Sequence, residues 1–220
     1  DEELNPEEIK SSEITHLLEN ITSEQGTEII VLSDALFQQV SPVKTPTGIL
    51  ALIAIPKIKI HSNTKNAFCI MLEAIQDPGN LGSILRSAAA AGVNDVYLSI
   101  DCTDVWSPKT LRAAMGAHFL LRIHEHSNLI TIAQQLQGKI ITTSLQSEKS
   151  LYQTPLAGPV TFIFGNEGTG LSADLSMVAS EQITIPMPGK TESLNVAAAA
   201  AICLFERVRQ VNKGAHKSAM

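Results

Sequence analysis

Cysteine is scarce in this chain of 220 residues, and the three present exclude much. Cys69, Cys102 and Cys203 are odd in number and lack CxxC spacing. That pattern argues against a disulfide framework or a metal site and favours reduced thiols, as in the cytoplasm. Long apolar runs are also missing. None approaches the roughly 18 residues of a membrane span. Residues 1–19 are acidic and lack the basic-then-apolar order of a signal peptide, so cytoplasmic residence is expected. There is no GxxxxGK[ST], no GxSxG and no HExxH, which removes the P-loop, the nucleophile elbow and the zincin helix. His124-x-His126 has no cysteine or acidic partner at ligand spacing and reads as a pair of solvated loop histidines. Nothing marks a nucleophilic cysteine with a partner histidine.

What remains is an ordinary soluble composition, 44% hydrophobic and 17% charged. The net charge of −6 is unevenly spread: residues 1–62 hold ten acids and four bases, and residues 63–220 hold twelve of each. A neutral domain can still focus positive potential in one cleft, so charge leaves a nucleic-acid partner open.

Two regions are expected. In the first, 8–20 has apolar positions at helical spacing, 28–32 reads as a strand, 34–40 as a short helix capped by Ser33 or Asp34, and 49–55 as another strand. That small α/β unit covers 1–60. Residues 61–66 are short, polar and aperiodic, a linker. From 67 the chain alternates. Strands are expected at 67–75, 95–100, 119–123, 139–143, 160–164 and 183–185, with helices at 78–91, 107–115, 130–137 and 171–179 and an alanine-rich helix after Ser193. Such alternation implies a parallel α/β sheet with helices on both faces over 67–220. Ligands of such sheets bind beyond the carboxyl ends of the strands.

Three constellations lie at such ends. Asp77-Pro78-Gly79-Asn80-Leu81-Gly82-Ser83-Ile84-Leu85-Arg86 starts a helix, where free N–H groups favour an anion and the Arg86 fork can reach back. Alone, it reads more simply as a cap and a solvated arginine. Gly165-Asn166-Glu167-Gly168-Thr169-Gly170 has glycines spaced GxxGxG, the reverse of the dinucleotide fingerprint. Glu167 there is either a cleft ligand or an exposed turn carboxylate. Ser193-x-Asn195 follows a loop with Pro186, Pro188 and Gly189, and Ser193 is expected to cap the alanine-rich helix.

In this order, the three resemble the motifs of the SpoU (TrmH-like) RNA 2′-O-ribose methyltransferases of the SPOUT class. The matching residues are Asp77, Pro78, Asn80, Gly82, Ile84 and Arg86; then Phe164, Gly165, Glu167, Gly168 and Gly170; then Ile185, Pro186, Met187, Gly189, Ser193, Leu194, Asn195 and Val196. Ser107-Pro108-Lys109, with Arg112 and Gly116, also resembles a family segment. Val40-Ser41 and Gly48-Ile49-Leu50-Ala51 resemble the end of an L30e-like RNA-binding domain, too short to be all of it.

The resemblance implies a C-terminal trefoil knot, a homodimer with the last helix in its interface, and S-adenosylmethionine as cofactor. Phe164, Gly165, Ile185, Met187, Leu194 and Ala197 would hold that cofactor. Arg86, Asn80, Glu167, Ser193 and Asn195 would form the catalytic set, transferring a methyl group to a ribose 2′-hydroxyl of ribosomal or transfer RNA. No metal is implied. The family arginine matching Arg86 has been proposed as the base, but a guanidinium stays protonated above pH 12. Arg86 is better read as gripping a phosphate and the developing alkoxide, with Glu167 as its partner in the free enzyme. The rivals are a non-catalytic RNA-binding protein on the same fold and a nucleotide-binding oxidoreductase.

Overall fold

The apolar runs at 68–72 and 160–164 are too short for helices and rich in residues that pack well on a pleated surface. In this computed structural model, which describes residues 15–16, 27–56, 68–189 and 191–218, they form the centre of a sheet. Its strands are β1 (Phe68–Leu72), β2 (Asp95–Leu98), β3 (Arg122–His124), β4 (Lys139–Thr143), β5 (Val160–Phe164) and β6 (Glu181–Ile183). All pairings are parallel, in the order β3-β2-β1-β5-β4-β6. The helices are α1 (Asp34–Val40), α2 (Pro78–Ala91), α3 (Pro108–Ala114), α4 (Leu129–Gln135), α5 (Ala173–Met177) and α6 (Val196–Ser218), with 3₁₀ turns at Ala117–Phe119 and Leu151–Gln153.

Every residue of β1 and β5 is buried, because both faces of the sheet are covered. Successive side chains point to opposite faces, so each strand supplies two cores. Phe68, Ile70, Leu72, Phe162 and Phe164 pack with Leu81, Ile84, Leu85, Cys203 and Leu204 of α2 and α6. Met71 and Ile163 pack instead with Leu129, Ala133 and Leu175 of α4 and α5. Each large apolar side chain among these contributes about 1.5–3 kcal/mol on burial.

The start of α2 is set by Asp77, whose carboxylate accepts the Asn80 N–H, and by Pro78 in the first turn. Its end is set by Gly92, at φ +78°. Gly82 lets α3 approach: a Cβ there would lie 2.5 Å from the Ala113 Cβ and 2.7 Å from the Thr110 carbonyl oxygen.

The chain runs outward from β1 through β2 to β3, crosses to β4, and returns inward to β5 beside β1. Strand order therefore reverses between β1 and β5. The ends of β1, β4, β5 and β6 border the crevice where such sheets bind ligands.

Several elements differ from expectation. The strand expected at 119–123 begins only at Arg122, because Phe119 closes a 3₁₀ turn after Gly116 at φ +83°. The strand expected at 183–185 is Glu181–Ile183. It pairs with Ile141 to Thr143, and Glu181 bridges Lys139 and Lys149, fixing the strand two residues earlier. His124 is no solvated loop residue. It lies on β3, bonds Asp95 at 2.8 Å and stacks on Tyr97.

The chain divides into two units, Asp1–Ala54 and Ile55–Met220. In the first, α1 forms as expected, with the Ser33 hydroxyl accepting the Leu36 N–H, but it buries none of its residues. The strands expected at 28–32 and 49–55 do not form. A strand needs a neighbour's N–H and C=O groups, and no described residue supplies them to either stretch. Val31 is 91% exposed as a result. Of the helix expected at 8–20, Thr15 and His16 are described and helical; the rest, like the expected linker at 61–66, lies outside the described residues. No helix of the described residues is long and apolar enough to cross a membrane.

Candidate active site

The loop that leaves β5 is held shut by its own backbone. Asn166 and Gly170 exchange N–H···O bonds of 3.0 Å in both directions. Inside that turn the Asn166 side-chain oxygen accepts from the N–H of Gly168 and Thr169, and its amide donates to the Ala74 carbonyl at 2.8 Å. Gly165 is obligatory. A Cβ there would sit 2.5 Å from the Gly170 carbonyl carbon and oxygen.

This closed loop carries Glu167 to the start of α2. The carboxylate accepts the backbone N–H groups of Gln76 and Asp77, both at 3.2 Å, and the Asn80 amide at 3.1 Å. The anion expected at this helix N-terminus is therefore Glu167 itself. A substrate phosphate has no free N–H pair there, which corrects the expectation.

Asn80 passes the interaction on. Its side-chain oxygen accepts from the Asn195 amide at 2.9 Å. The Asn195 oxygen in turn accepts the N–H groups of Ala197 and Ala198 at the start of α6. Asn195, rather than the expected Ser193, thus caps this helix. The cap also fixes direction: the Asn195 oxygen must face the helix, its NH₂ must face Asn80, and the Asn80 NH₂ must face Glu167. Three distant segments are locked into one polar chain. Burial raises the Glu167 pKa, but the Asn80 amide and the N–H groups of Glu167, Gln76 and Asp77 outweigh it and hold the carboxyl below its usual range.

Two cavities adjoin this chain. One, of about 360 Å³, is lined by Asn80, Phe164, Gly165, Glu167, Ser193 and Leu194, among others. The second, of about 150 Å³, shares Ser193 and Leu194 and adds Ile185, Met187 and Leu145. Five of the six residues expected to hold the cofactor line one or both; Ala197 lines neither, and Ala199, two residues on, lines both. The first cavity falls within the roughly 300–1,000 Å³ typical of small-ligand sites. Among the described residues, Glu167 is the one charged side chain lining either. Walls that mix apolar side chains with amides and hydroxyls, beside a single carboxylate, suit an adenosyl group carrying a sulfonium cation. They do not suit a pyrophosphate.

Arg86 stands apart. It is exposed on α2 and, among the described residues, makes no hydrogen bond or ion pair. The expected Glu167–Arg86 pair is absent, because the Glu167 oxygens are taken by N–H groups already in place. Asp77 instead meets Lys109 at 3.4 Å.

Sequence reasoning also passed over Thr143 and Leu145, at the end of β4, and Asn166, the lock of the loop. Thr143 lies in an unremarkable strand, and only its pairing beside β5 brings it to the cavity. Asn166 was legible as an Asx turn followed by glycine. Burial pushes the Cys69 and Cys203 thiols up to about 12, which removes both as nucleophiles at neutral pH.

The profile of the SpoU rRNA methylase family matches residues 67–205, the whole of this sheet and its loops. The chain is 35% identical over 185 residues to the 23S rRNA (guanosine(2553)-2′-O)-methyltransferase RlmP of Bacillus subtilis, covering 83% of this chain and 73% of that protein. A crystal structure of an RNA 2′-O ribose methyltransferase superposes with a TM-score of 0.75 at 30% identity, over 94% of this chain and 78% of the other. An AdoMet-bound rRNA methyltransferase from Sinorhizobium meliloti matches at 34% identity and a TM-score of 0.63, over 69% of this chain and 59% of that one.

Proposed function

Because the chain belongs to the SpoU rRNA methylase family, we propose that it transfers the methyl group of S-adenosylmethionine to a ribose 2′-hydroxyl of RNA. The observation that carries this reading is the Asn195–Asn80–Glu167 chain, which ties all three motif segments to the rim of the larger of the two cavities. When bound, the cofactor supplies an electrophilic methyl on a sulfonium. Ile185, Met187 and Leu194 would grip its apolar parts, with Phe164 and Gly165 at the floor. Glu167 would hold Asn80 and balance the positive sulfur. Its oxygens, which accept N–H groups, and its depressed pKa speak against it as the base.

Arg86, without a partner among the described residues, is the group available to substrate. It would grip the phosphate beside the acceptor ribose and stabilise the negative charge that develops on the 2′-oxygen as its proton passes to bulk water. Asn80, Ser193 and Asn195 would orient that ribose. The oxidoreductase reading loses support here: no cation among the described residues lines either cavity, and the N–H groups at the start of α2 are occupied. The test is transfer of labelled methyl to bulk RNA, with the product mapped to ribose. Wild-type protein that binds RNA yet transfers nothing would favour the non-catalytic alternative.

Similarity to a protein named for 23S rRNA favours ribosomal over transfer RNA. Mapping methylated riboses in RNA from a deletion strain tests that choice, and a missing mark on tRNA alone would overturn it. We read residues 1–60 as part of an L30e-like RNA-binding domain, 61–66 as a linker and 67–220 as the catalytic domain. The unpaired apolar stretches near 28–32 and 49–55 support an incomplete sheet. Limited proteolysis should cut near 61–66; a cut within 67–205 instead would refute the boundary.

The return from β6 across the strand ends to α6, which Gln210 then bonds to Thr154 and Leu156, is consistent with a trefoil knot. An experimental structure whose ends can be pulled straight would sink that reading. The proposed homodimer would use the outer face of α6, where exposed Ala198 and Phe205 lie seven residues apart. Ala200 is fully buried within this chain's own core, so Ala198→Glu is the informative test. A wild-type chain sedimenting as a monomer at micromolar concentration refutes the dimer.

A further inference from the structure

The loop bearing Glu167 has two ends, and only one is fixed by the sheet. Its entry at Gly165 follows directly from β5. Its exit at Ser172 is fixed by a side chain that lines neither cavity, Glu73. Glu73 is the first residue past β1, and its N–H continues the ladder by donating to the Phe164 carbonyl at 2.9 Å. Its carboxylate is consequently anchored at the base of the loop. Both oxygens are used on one residue: one accepts the Ser172 N–H and the other the Ser172 hydroxyl, each at 2.7 Å. Ser172 also caps α5, its hydroxyl accepting the Leu175 N–H.

We propose that Glu73 is a positioning residue for methyl transfer, clamping the exit of the Glu167 loop to β1 so that Glu167 meets Asn80. The proposal rests on the methyltransferase reading above. Its logic is mechanical. The turn from Asn166 to Gly170 is closed by its own bonds and moves as a unit. With the exit released, that unit can pivot about Gly165, and Glu167 leaves the N–H groups of Gln76 and Asp77. The Asn166 bond to Ala74 is then the remaining side-chain tie from the turn to the segment just after β1.

The clamp's chemistry distinguishes it from a general need for charge. A serine hydroxyl both donates and accepts. In Glu73→Gln the amide oxygen can take the Ser172 N–H while the hydroxyl turns to accept from the amide NH₂. Both contacts survive without charge. Glu73→Asp is one methylene short, and Glu73→Ala removes the clamp.

The experiment compares wild type, E73Q, E73D and E73A by single-turnover methyl transfer to RNA at saturating S-adenosylmethionine, and by amide hydrogen exchange of residues 165–172 in the ligand-free protein. We expect E73A and E73D to lose about tenfold or more in rate, as a displaced transition-state group costs, with E73Q within about threefold of wild type. Exchange at Gly168, Thr169 and Ser172 should rise in E73A and E73D but not in E73Q, with exchange in β1 and β5 unchanged. If E73A keeps wild-type rate and protection, the clamp is overturned while the methyltransferase reading stands. E73Q as slow as E73A, or faster exchange throughout the sheet, overturns it too, since charge or folding is then what Glu73 supplies. Wild type inactive on RNA refutes the reading itself, and the exchange pattern alone then decides whether Glu73 holds the loop.

Discussion

The two halves of α2 make opposite use of polar groups. Its first turn is saturated. The Asp77 carboxylate takes the Asn80 N–H, Glu167 takes the N–H groups ahead of the helix, and the Asn80 amide is committed at both ends. Six residues on from Asn80, Arg86 has five donors and no described partner. Asp77, Glu167 and Asn195 are exposed, as Arg86 is, so the difference follows from what a ligand in the crevice would cover. Polar groups at the crevice rim would lose water as a ligand arrives, so partners built in beforehand avoid a penalty of about 1–3 kcal/mol each. An exposed guanidinium keeps its hydration at no cost and stays free for a phosphate. One half of the helix is prepared in advance, and the other is completed by substrate.

The largest effect should come from dismantling the prepared half. Gly165→Val places carbon where Gly170 backbone already lies at 2.5 Å, so the loop cannot close. Calorimetry should detect no S-adenosylmethionine binding, with the secondary structure kept by circular dichroism. Undiminished binding by folded G165V would mean the cavity is misassigned.

Removing the free half should separate chemistry from binding. Arg86 lines neither cavity, so Arg86→Ala should leave cofactor affinity within a few-fold while single-turnover transfer falls by about two orders of magnitude. Arg86→Lys should recover little, because a point charge does not reproduce the fork. Loss of cofactor binding by folded R86A would move Arg86 into the saturated half and erase the contrast.

A smaller effect tests the direction of the polar chain. Asn195→Asp keeps the cap on α6 and adds a negative charge at a helix N-terminus, so thermal stability should hold or rise. The carboxylate so introduced has nothing to donate to the Asn80 oxygen. If the Asn80 amide turns to satisfy it, that oxygen then faces Glu167. No orientation satisfies both ends, and transfer should fall about tenfold. Equal activity in the stable variant would show that the chain's direction does not matter.

Much of the frame was legible because local signals agreed. Asp77, Pro78 and Gly92 bound α2 at the residues expected, and the apolar runs at 139–143 and 160–164 are strands at those bounds. The register of β6 was not legible: it depends on Glu181 meeting Lys139 and Lys149, far away in sequence. The apolar stretches at 28–32 and 49–55 carry strand composition without a ladder, a reminder that composition does not provide a neighbour. Motif order brought Asn80, Glu167 and Asn195 to one crevice. It could not show that Glu167 faces Asn80 and backbone rather than Arg86, since charge alone pairs an acid with the nearest base. That choice is made by a loop whose closure depends on Asn166 and Gly165.

The smallest expected effect concerns the buried counterpart of Arg86. His118, 3% exposed in the 3₁₀ turn after α3, donates from Nε2 to the Val105 carbonyl at 2.7 Å, while its Nδ1 is buried without a partner among the described residues. Lacking a partner costs nothing at Arg86, but here a proton arriving at Nδ1 would be a buried charge with no acceptor among the described residues. Burial lowers the His118 pKa, and the Val105 bond only partly offsets it. The folded value thus lies below the unfolded one, near 6.5. Above that unfolded value both states are neutral and stability is at its full level. As pH falls below it, the unfolded chain takes up a proton that the folded chain refuses, and stability declines until the folded value is passed. The loss should grow steadily as pH falls from the unfolded value toward the folded one. Urea unfolding at pH 7 and pH 5.5 should show it in wild type, and His118→Gln, which cannot titrate, should lose less over the same interval. Parallel pH dependence in the two proteins would mean that the Nδ1 atom finds a partner when protonated, and that the contrast between free and buried donors ends at Arg86.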